Sequence, residues 1–256
     1  MIIDIAGLAG LACVFLRMSG CILFNPIFGR RNFPAIFQVS IALGLTLMIY
    51  TYSNVLVDFT GMPFIVTVAI LLKELFVGFV MGTVVSLFMY VVIIGGEFID
   101  FKMALSMSKQ FDPQSGVNMS VTASYLNLMF ILIFFTMNGH LTAINMFLYS
   151  AEIIPYGQVT FVNPEMSGLI IDLFAQCTIL GLKMAMPIVG TIFIIEVGVG
   201  ILMKTIPQIN VFIVSLPVKI LVGTIMVFAI FTPLSRFIEM AITMMFDSMA
   251  MALFLL

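Results

Sequence analysis

One short part of this chain, residues 95–120, gathers charged side chains that could bind a cation or move a proton. The whole chain has 10 Lys or Arg and 12 Asp or Glu among 256 residues, and five of these lie here: Glu97, Asp100, Lys102, Lys109 and Asp112. On a helical wheel, Glu97 and Asp100 are about 60° apart, while Lys102 and Lys109 are within about 20° of each other on another side. Both stripes need partner helices or an aqueous cavity, because lipid cannot stabilise them.

Other charges stand alone within apolar runs. Arg17 is near the middle of one run, where facing lipid costs from about 2.5 kcal/mol, so we expect it to point into protein or water. The alternative is a displaced helix in which its side chain reaches the interface. Lys73 and Glu74 are adjacent and point about 100° apart on a helix, so we expect them to meet charges on other helices.

Glu196 is the strongest candidate for a proton carrier downstream. Gly190, Gly198 and Gly200 surround it, and such small residues allow a second helix to approach its carboxylate. A structural carboxylate paired with a partner is favoured, since a proton relay normally uses more than one acid. The remaining predicted polar contacts between helices or subunits are Lys183, Gln208, Asn210 and Lys219.

The chain lacks the residue patterns of catalysis. It has no GxSxG, HExxH or P-loop motif, and no GxGxxG followed by an acid. His140 is the single histidine, for which we expect a capping or turn role, and the three cysteines form no CxxC pair. We therefore predict no enzyme, no cofactor and no metal. The largest basic cluster is Arg30-Arg31, which excludes nucleic-acid binding.

Composition indicates a membrane protein. The chain is 62% hydrophobic and only 9% charged, against roughly 25% charged in soluble domains. Three windows without charge, 32–57, 75–96 and 113–151, each exceed the ~20 residues that cross a bilayer. We predict an all-α integral membrane protein with apolar helical runs over 5–28, 35–57, 64–94, 119–149 and 169–203.

Residues that end or interrupt helices separate these apolar runs. A charged helix is expected over 97–109, followed by a loop over 110–118, because Asp112-Pro113 ends a helix. Asn138-Gly139-His140 interrupts the fourth run, and 152–166 is the candidate boundary between two parts. Residues 205–217 suggest a hairpin with a broken helix, and an amphipathic helix from Arg236 is expected to pack on a partner or lie at an interface.

Two function classes remain open on the residues alone. One is a conduit or gate, in which the region 97–118 lines or plugs a water-filled passage. The other is an ion- or proton-coupled carrier that uses Glu196 with Glu97 and Asp100. Carriers often contain inverted repeats with paired broken helices, and the two halves here differ in length and charge pattern.

Short blocks spread over the chain carry a resemblance. They are GEFI at 96–99, MALS at 103–106, FDP at 111–113, NM at 118–119, NGHL at 138–141, PQIN at 207–210 and LP at 216–217. In order and spacing they resemble the family of the flagellar biosynthetic protein FliR, whose injectisome counterpart is SctT. The sequence departs from the family pattern at Lys102, where Gln is usual, and at Ala104, where Gly is usual.

The resemblance implies a core subunit of the type III export gate, with two parts. Residues 1–160 would be FliP-like and contain a plug loop at about 106–118, and 161–256 would be a FliQ-like hairpin with a C-terminal amphipathic helix. Phe111 would be the apolar stopper. The implied plug or pore residues are Met103, Ser106, Met107, Lys109, Gln110, Phe111, Asp112, Pro113, Gln114, Ser115, Gly116 and Asn118.

The resemblance also implies the surroundings of the chain. One copy would join FliP-like and FliQ-like subunits in a helical complex, next to export-gate subunits of the FlhB and FlhA type, and unfolded flagellar proteins would pass through. The place would be the bacterial inner membrane at the flagellar basal body, with part of the assembly raised above the bilayer. The FDP and NGH blocks favour the flagellar over the injectisome assignment.

Overall fold

The computed structural model describes residues 5–29, 34–53, 55, 57, 59, 61–106, 120–159, 165–206 and 211–256. Eight α-helices make up most of these residues: α1 Ile5–Leu23, α2 Ala35–Ser53, α3 Phe64–Lys102, α4 Val121–Thr136, α5 Gly139–Ile153, α6 Glu165–Thr205, α7 Val211–Ala229 and α8 Phe231–Leu255. No strand occurs in these ranges. The predicted all-α class is confirmed.

Three helices of the described ranges, α3, α6 and α8, are long and apolar enough to cross a membrane. The consecutive helices α4 and α5 pass the same test together but bend by 70° between them, which gives a broken span or a re-entrant pair. The apolar parts of α1, α2 and α7 are shorter than a span within the described residues. Apolar runs that look alike in sequence therefore form helices of very different length.

The chain divides into two compact units. The first consists of Met1–Leu87, Asn138–Leu173 and Thr243–Leu256, and the second of Phe88–Met137 and Phe174–Ile242. Each unit takes residues from both sides of position 160. The FliP-like and FliQ-like division at that position describes a relationship to other proteins, and it stays a prediction.

In the first unit, α1 packs on α2 and crosses α3 at glycines. A Cβ atom added to Gly78 would meet the carbonyl oxygen of Arg17, and would lie 2.7 Å from Cys21 N and 2.8 Å from Gly20 Cα. One turn later, a Cβ on Gly82 would lie 2.9 Å from Phe24 Cβ. The GxxxG spacing in α3 thus lets two backbones touch, as this motif does in membrane helices.

The bend between α4 and α5 is centred on Asn138. This residue has a φ of 56° and is the N-cap of α5. Asn is the residue besides Gly that most readily adopts the left-handed region, so the sequence Asn-Gly permits the sharp change of direction. The break predicted at 138–140 is confirmed.

Three other predicted elements differ from the structure. Helix α3 ends at Lys102, so one charged helix does not run from 97 to 109. The break predicted over 205–217 is narrower, because α6 ends at Thr205, α7 begins at Val211 and Pro217 lies inside α7. The apolar stripe of α8 is buried within this chain, through residues spaced three or four apart: Leu234, Ile238, Ala241, Ile242, Met245, Met249, Ala252 and Leu253.

Candidate functional site

The C-terminus of α3 and the N-terminus of α4 lie together in the second unit. Helix α3 closes with a Schellman motif: Leu105 N donates to Asp100 O over 2.9 Å, and Ala104 N donates to Phe101 O over 3.2 Å. Ala104 takes the left-handed position of this motif with a φ of 62°. Glycine is the usual residue there, because a Cβ atom crowds the backbone. Lys102 is half-buried in the last turn, where a cation favours the helix dipole.

Asp100 caps the next helix from outside it. Its Oδ2 atom accepts a hydrogen bond of 2.9 Å from the backbone N–H of Thr122, in the first turn of α4. The N-cap residue of α4, Ser120, makes no side-chain capping bond, so the carboxylate of Asp100 takes over that role. A negative charge at a helix N-terminus is stabilised by the helix dipole, which helps to offset the cost of burying Asp100 completely.

Two polar atoms at this capping point are buried and unpaired. Asp100 Oδ1 and Ser120 Oγ have no hydrogen-bond partner among the residues that the structure describes. Asp100 is hydrogen-bonded to the Thr122 N–H, and Ser120 precedes Thr122 by two residues in the sequence. Buried acceptors without partners are rare, and in a native fold they point to water, an ion or a missing partner group.

A cavity of about 490 Å³ opens beside this cap. Its lining residues are Ile94, Glu97, Phe98, Phe101, Ser106 and Ser120. The Glu97 carboxylate belongs to an exposed residue one turn before Asp100, and Phe98 and Phe101 are 39% and 67% exposed. The cavity therefore combines a carboxylate and two hydroxyls with aromatic walls. Within the described residues, no group of three or more His, Cys, Asp or Glu could hold a metal ion.

Close backbone packing positions this site. A Cβ on Gly96 would lie 2.6 Å from Ala123 N and 2.9 Å from Ala123 Cβ, so α3 touches the first turn of α4 directly. Met103, included in the sequence prediction as a plug residue, is buried, and its Sδ lies 2.7 Å from the position of a Cβ on Gly223 in α7. Its side chain fills the packing between the end of α3 and α7.

The other predicted plug residues fall in two groups. Ser106 is half-buried and lines the cavity. The rest lie outside the described residues: Met107, Lys109, Gln110, Phe111, Asp112, Pro113, Gln114, Ser115, Gly116 and Asn118. Ser106, at the start of the predicted plug, and Ser120, just after its end, line the same cavity.

A second polar centre lies in the first unit, around Arg17. Its Nε lies 2.6 Å from Glu74 Oε2, and neither side chain is exposed. Its Nη1 donates to the carbonyl oxygens of Ser150 and Ile154, at 3.0 and 2.9 Å. These carbonyls belong to the C-terminal end of α5, where a cation is favoured by the helix dipole. One guanidinium thus joins α1, α3 and α5.

The segment after α5 completes this centre. The guanidinium carbon of Arg17 lies 4.2 Å from the centroid of the Tyr156 ring, a cation–π contact. Burial raises the pKa of the Tyr156 phenol to about 12, so the ring stays neutral at physiological pH. Gly157 N donates to Glu74 Oε1 over 2.7 Å, and Lys73 Nζ donates to Val159 O over 3.1 Å. The adjacent charges Lys73 and Glu74 therefore hold one irregular segment from two sides.

The remaining predicted polar residues behave differently. In the second unit, Lys219 Nζ of α7 lies 2.6 Å from Glu196 Oε1 of α6, with side chains 16% and 33% exposed respectively. Lys183 is exposed on α6. Gln208 and Asn210 lie outside the described residues. His140 is half-buried in the first turn of α5, next to the bend.

Sequence reasoning did not single out Tyr156, Ser120 or Thr122. Tyr156 follows Pro155 in a segment that the sequence indicates only as a boundary between two parts. No neighbouring residue predicts that its ring stacks on Arg17. Ser120 precedes an apolar run, which is a helix-start signal, yet the capping acid comes from 20 residues upstream. Both contacts are made by tertiary packing.

Comparison with known proteins gives concordant matches over nearly the full length. The family described as "Bacterial export proteins, family 1" matches residues 8–245. The flagellar biosynthetic protein FliR of Bacillus subtilis (strain 168) is 30% identical over 215 residues, 83% of this chain and 82% of that protein. FliR of Pectobacterium carotovorum subsp. carotovorum is 28% identical over 240 residues, 92% and 89% of the two chains. The surface presentation of antigens protein SpaR of Shigella flexneri is 26% identical over 222 residues, 84% and 82% of the two chains.

Proposed function

Because this chain belongs to family 1 of the bacterial export proteins, we propose that it helps to form the export channel for unfolded flagellar proteins and supplies its plug. The family match over residues 8–245 is the observation that carries this proposal. The flagellar system is preferred over the injectisome on the FDP and NGH blocks, with the FliR proteins of two bacteria among the relatives.

The geometry at the end of α3 supports the plug. Ser106 and Ser120 line one cavity, so the two described ends of the predicted plug lie close together. Loops whose ends lie close together are frequently functional. The Schellman motif directs the chain out of α3, and the Asp100 cap fixes the start of α4.

The polar residues support a passive channel. The arginine of α1 and the acid of α3 pair with each other, and Glu196 of α6 pairs with Lys219 of α7. These two pairs fit assembly of the chain rather than proton transfer by Glu74 or Glu196, because proton transfer needs a carboxylate free to change its protonation state. Energy for transport would then come from other subunits of the apparatus.

We further infer an assembly with FliP-like and FliQ-like subunits in the bacterial inner membrane, at the basal body. Helix α6 supports this. Only 11% of its most apolar stretch is buried, against 61% for α3, although it carries the exposed Lys183. A lysine on an exposed apolar helix is costly against lipid. Neighbouring subunits, or a position above the bilayer, would accommodate it.

The plug is tested by removing its tip. Deletion of residues 111–116 from the chain, expressed with the rest of the export apparatus, is expected to raise the leak of small ions through the resting complex. The matched control replaces the same six residues by Gly and Ser, which keeps the loop length but removes Phe111. An unchanged leak in the deletion variant, with normal assembly, would falsify the plug.

A further inference from the structure

We propose that the cavity beside Asp100 is an interface pocket that receives one basic side chain, best an arginine, from an adjacent subunit of the export assembly. The inference rests on the proposed function, because it requires a multi-subunit complex. It adds the chemistry of one contact: a cation of the neighbour between the Glu97 carboxylate and the rings of Phe98 and Phe101.

Glu97 is the first argument. It lines the cavity, is exposed, and has no ion-pair partner within the described ranges. Its surroundings are apolar, since Ile94, Phe98 and Phe101 line the same cavity and the two rings are 39% and 67% exposed. Contiguous exposed apolar surface marks an interaction site. A carboxylate within such a surface requires a cation once the surface is covered.

The buried acceptors are the second argument. Asp100 is fully buried, and its Oδ1 atom, like Ser120 Oγ, finds no partner among the described residues. Asp100 itself does not line the cavity, and Lys102 lies two residues further along α3. The polar groups that face the cavity are the Glu97 carboxylate and the hydroxyls of Ser106 and Ser120, which favour an occupant that donates N–H groups over an acidic or purely apolar one.

Shape and wall chemistry select the type of cation. A volume of about 490 Å³ greatly exceeds the ~30 Å³ of one water, so a side chain has room to enter, and no group of three or more His, Cys, Asp or Glu in the described residues could hold a metal ion there. The lining by Ile94, Phe98 and Phe101 suits an alkyl stem and a planar cation stacked on a ring. Arginine fits better than lysine, because its guanidinium stacks on aromatic rings and can reach two acceptors at once.

An adjacent subunit is favoured over a passing substrate. Phe98 and Phe101 are 39% and 67% exposed and line the cavity together with Glu97. Lipid would suit these rings but would leave the carboxylate unstabilised, so this surface needs a protein partner. A transient chain would cover it only during transport. A permanent neighbour covers it at all times and supplies the charge at the same contact.

Crosslinking in the intact apparatus locates the occupant. A photoreactive phenylalanine analogue is placed at Phe101 and, as a control of equal exposure, at Phe254, which is 68% exposed on α8. We expect position 101 to crosslink a peptide of another subunit within a few residues of an Arg or Lys. A crosslink to lipid, to an exported protein, or back to this chain at Lys109 would overturn the proposal.

Charge exchange tests the chemistry. We expect Glu97→Gln to lower the amount of neighbouring subunit that co-purifies about threefold, and Glu97→Arg to lower it more than tenfold. The same changes at Glu152, an exposed acid at the end of α5, are expected to leave it unchanged. Changing the crosslinked basic residue to Glu is expected to restore binding to the Glu97→Arg chain.

These experiments test the pocket contact and the proposed channel function independently. If Glu97→Arg assembles fully, the pocket proposal is wrong, whereas a leak produced by the plug deletion would still support the channel. A failure to rescue by the reciprocal exchange, with both single variants impaired, would also overturn the ionic contact.

Discussion

Arg17 and Glu74 form a fully buried ion pair, 2.6 Å between Nε and Oε2, across 57 residues of sequence. Each partner is also hydrogen-bonded to backbone: the guanidinium to α5 carbonyls and the carboxylate to Gly157 N. Three helices and the segment after α5 therefore depend on one charge pair. Buried pairs of this kind fix an arrangement of elements more than they add net stability.

Removing one partner is expected to be far worse than removing both. We predict that Arg17→Met or Glu74→Gln lowers the free energy of unfolding by about 3–5 kcal/mol, because an unpaired charge or acceptor set stays buried. The double variant Arg17→Met/Glu74→Met should lose much less. Thermal unfolding of the purified chain in detergent measures this. Equal losses in the single and double variants would show that the pair is not coupled.

The Asp100 cap predicts a local effect on α4. Asp100→Leu removes the acceptor of the Thr122 N–H, and we expect local opening of the first turn to become easier by about 1 kcal/mol. This corresponds to roughly fivefold faster hydrogen exchange at Thr122. Asp100→Asn keeps an acceptor and should change exchange less. Glu97→Gln, one turn earlier on α3, serves as the control, and a similar acceleration there would argue against capping by Asp100.

Ala104 is predicted to be a strained position. Its φ of 62° costs a non-glycine residue roughly 1–2 kcal/mol, so Ala104→Gly should stabilise the protein by about 1 kcal/mol. Ala175→Gly, at an exposed interior position of α6, should destabilise it by a similar amount through helix propensity. Unfolding of both variants is compared under one condition. Destabilisation by Ala104→Gly would mean that this position is helical in solution.

Several features of the fold follow from local sequence. The helical class, the membrane-type composition and the break at Asn138-Gly139 could be predicted, because run length and turn-forming residues report on the chain within a few residues. The sequence shows alanine at position 104, where the family pattern has glycine, and the structure explains why glycine is usual. A glycine-type conformation is occupied there by alanine.

Other features could not be predicted, since their causes lie far along the chain. Helix α3 ends at Lys102, although Met103 and Ala104 that follow are both good helix formers and no proline follows until Pro113. The partners of Arg17 come from Glu74, α5 and Tyr156, which are close only after folding. Charge spacing indicates that a partner is needed, and only packing decides which residue it is.

The close crossing of α1 and α3 predicts that adding a single methyl group at Gly78 destabilises the protein. A methyl group on Gly78 would meet Arg17 O and approach Cys21 N to 2.7 Å, so Gly78→Ala must push the backbones apart and strain the adjoining Arg17 contacts. We expect a loss of about 1–3 kcal/mol, typical of overpacking. Gly44 on α2 has no atom within 4 Å of an added Cβ, so Gly44→Ala should be neutral or stabilising by up to about 1 kcal/mol through helix propensity. Detergent unfolding of the two variants compares them, and equal effects would contradict a direct backbone contact at Gly78.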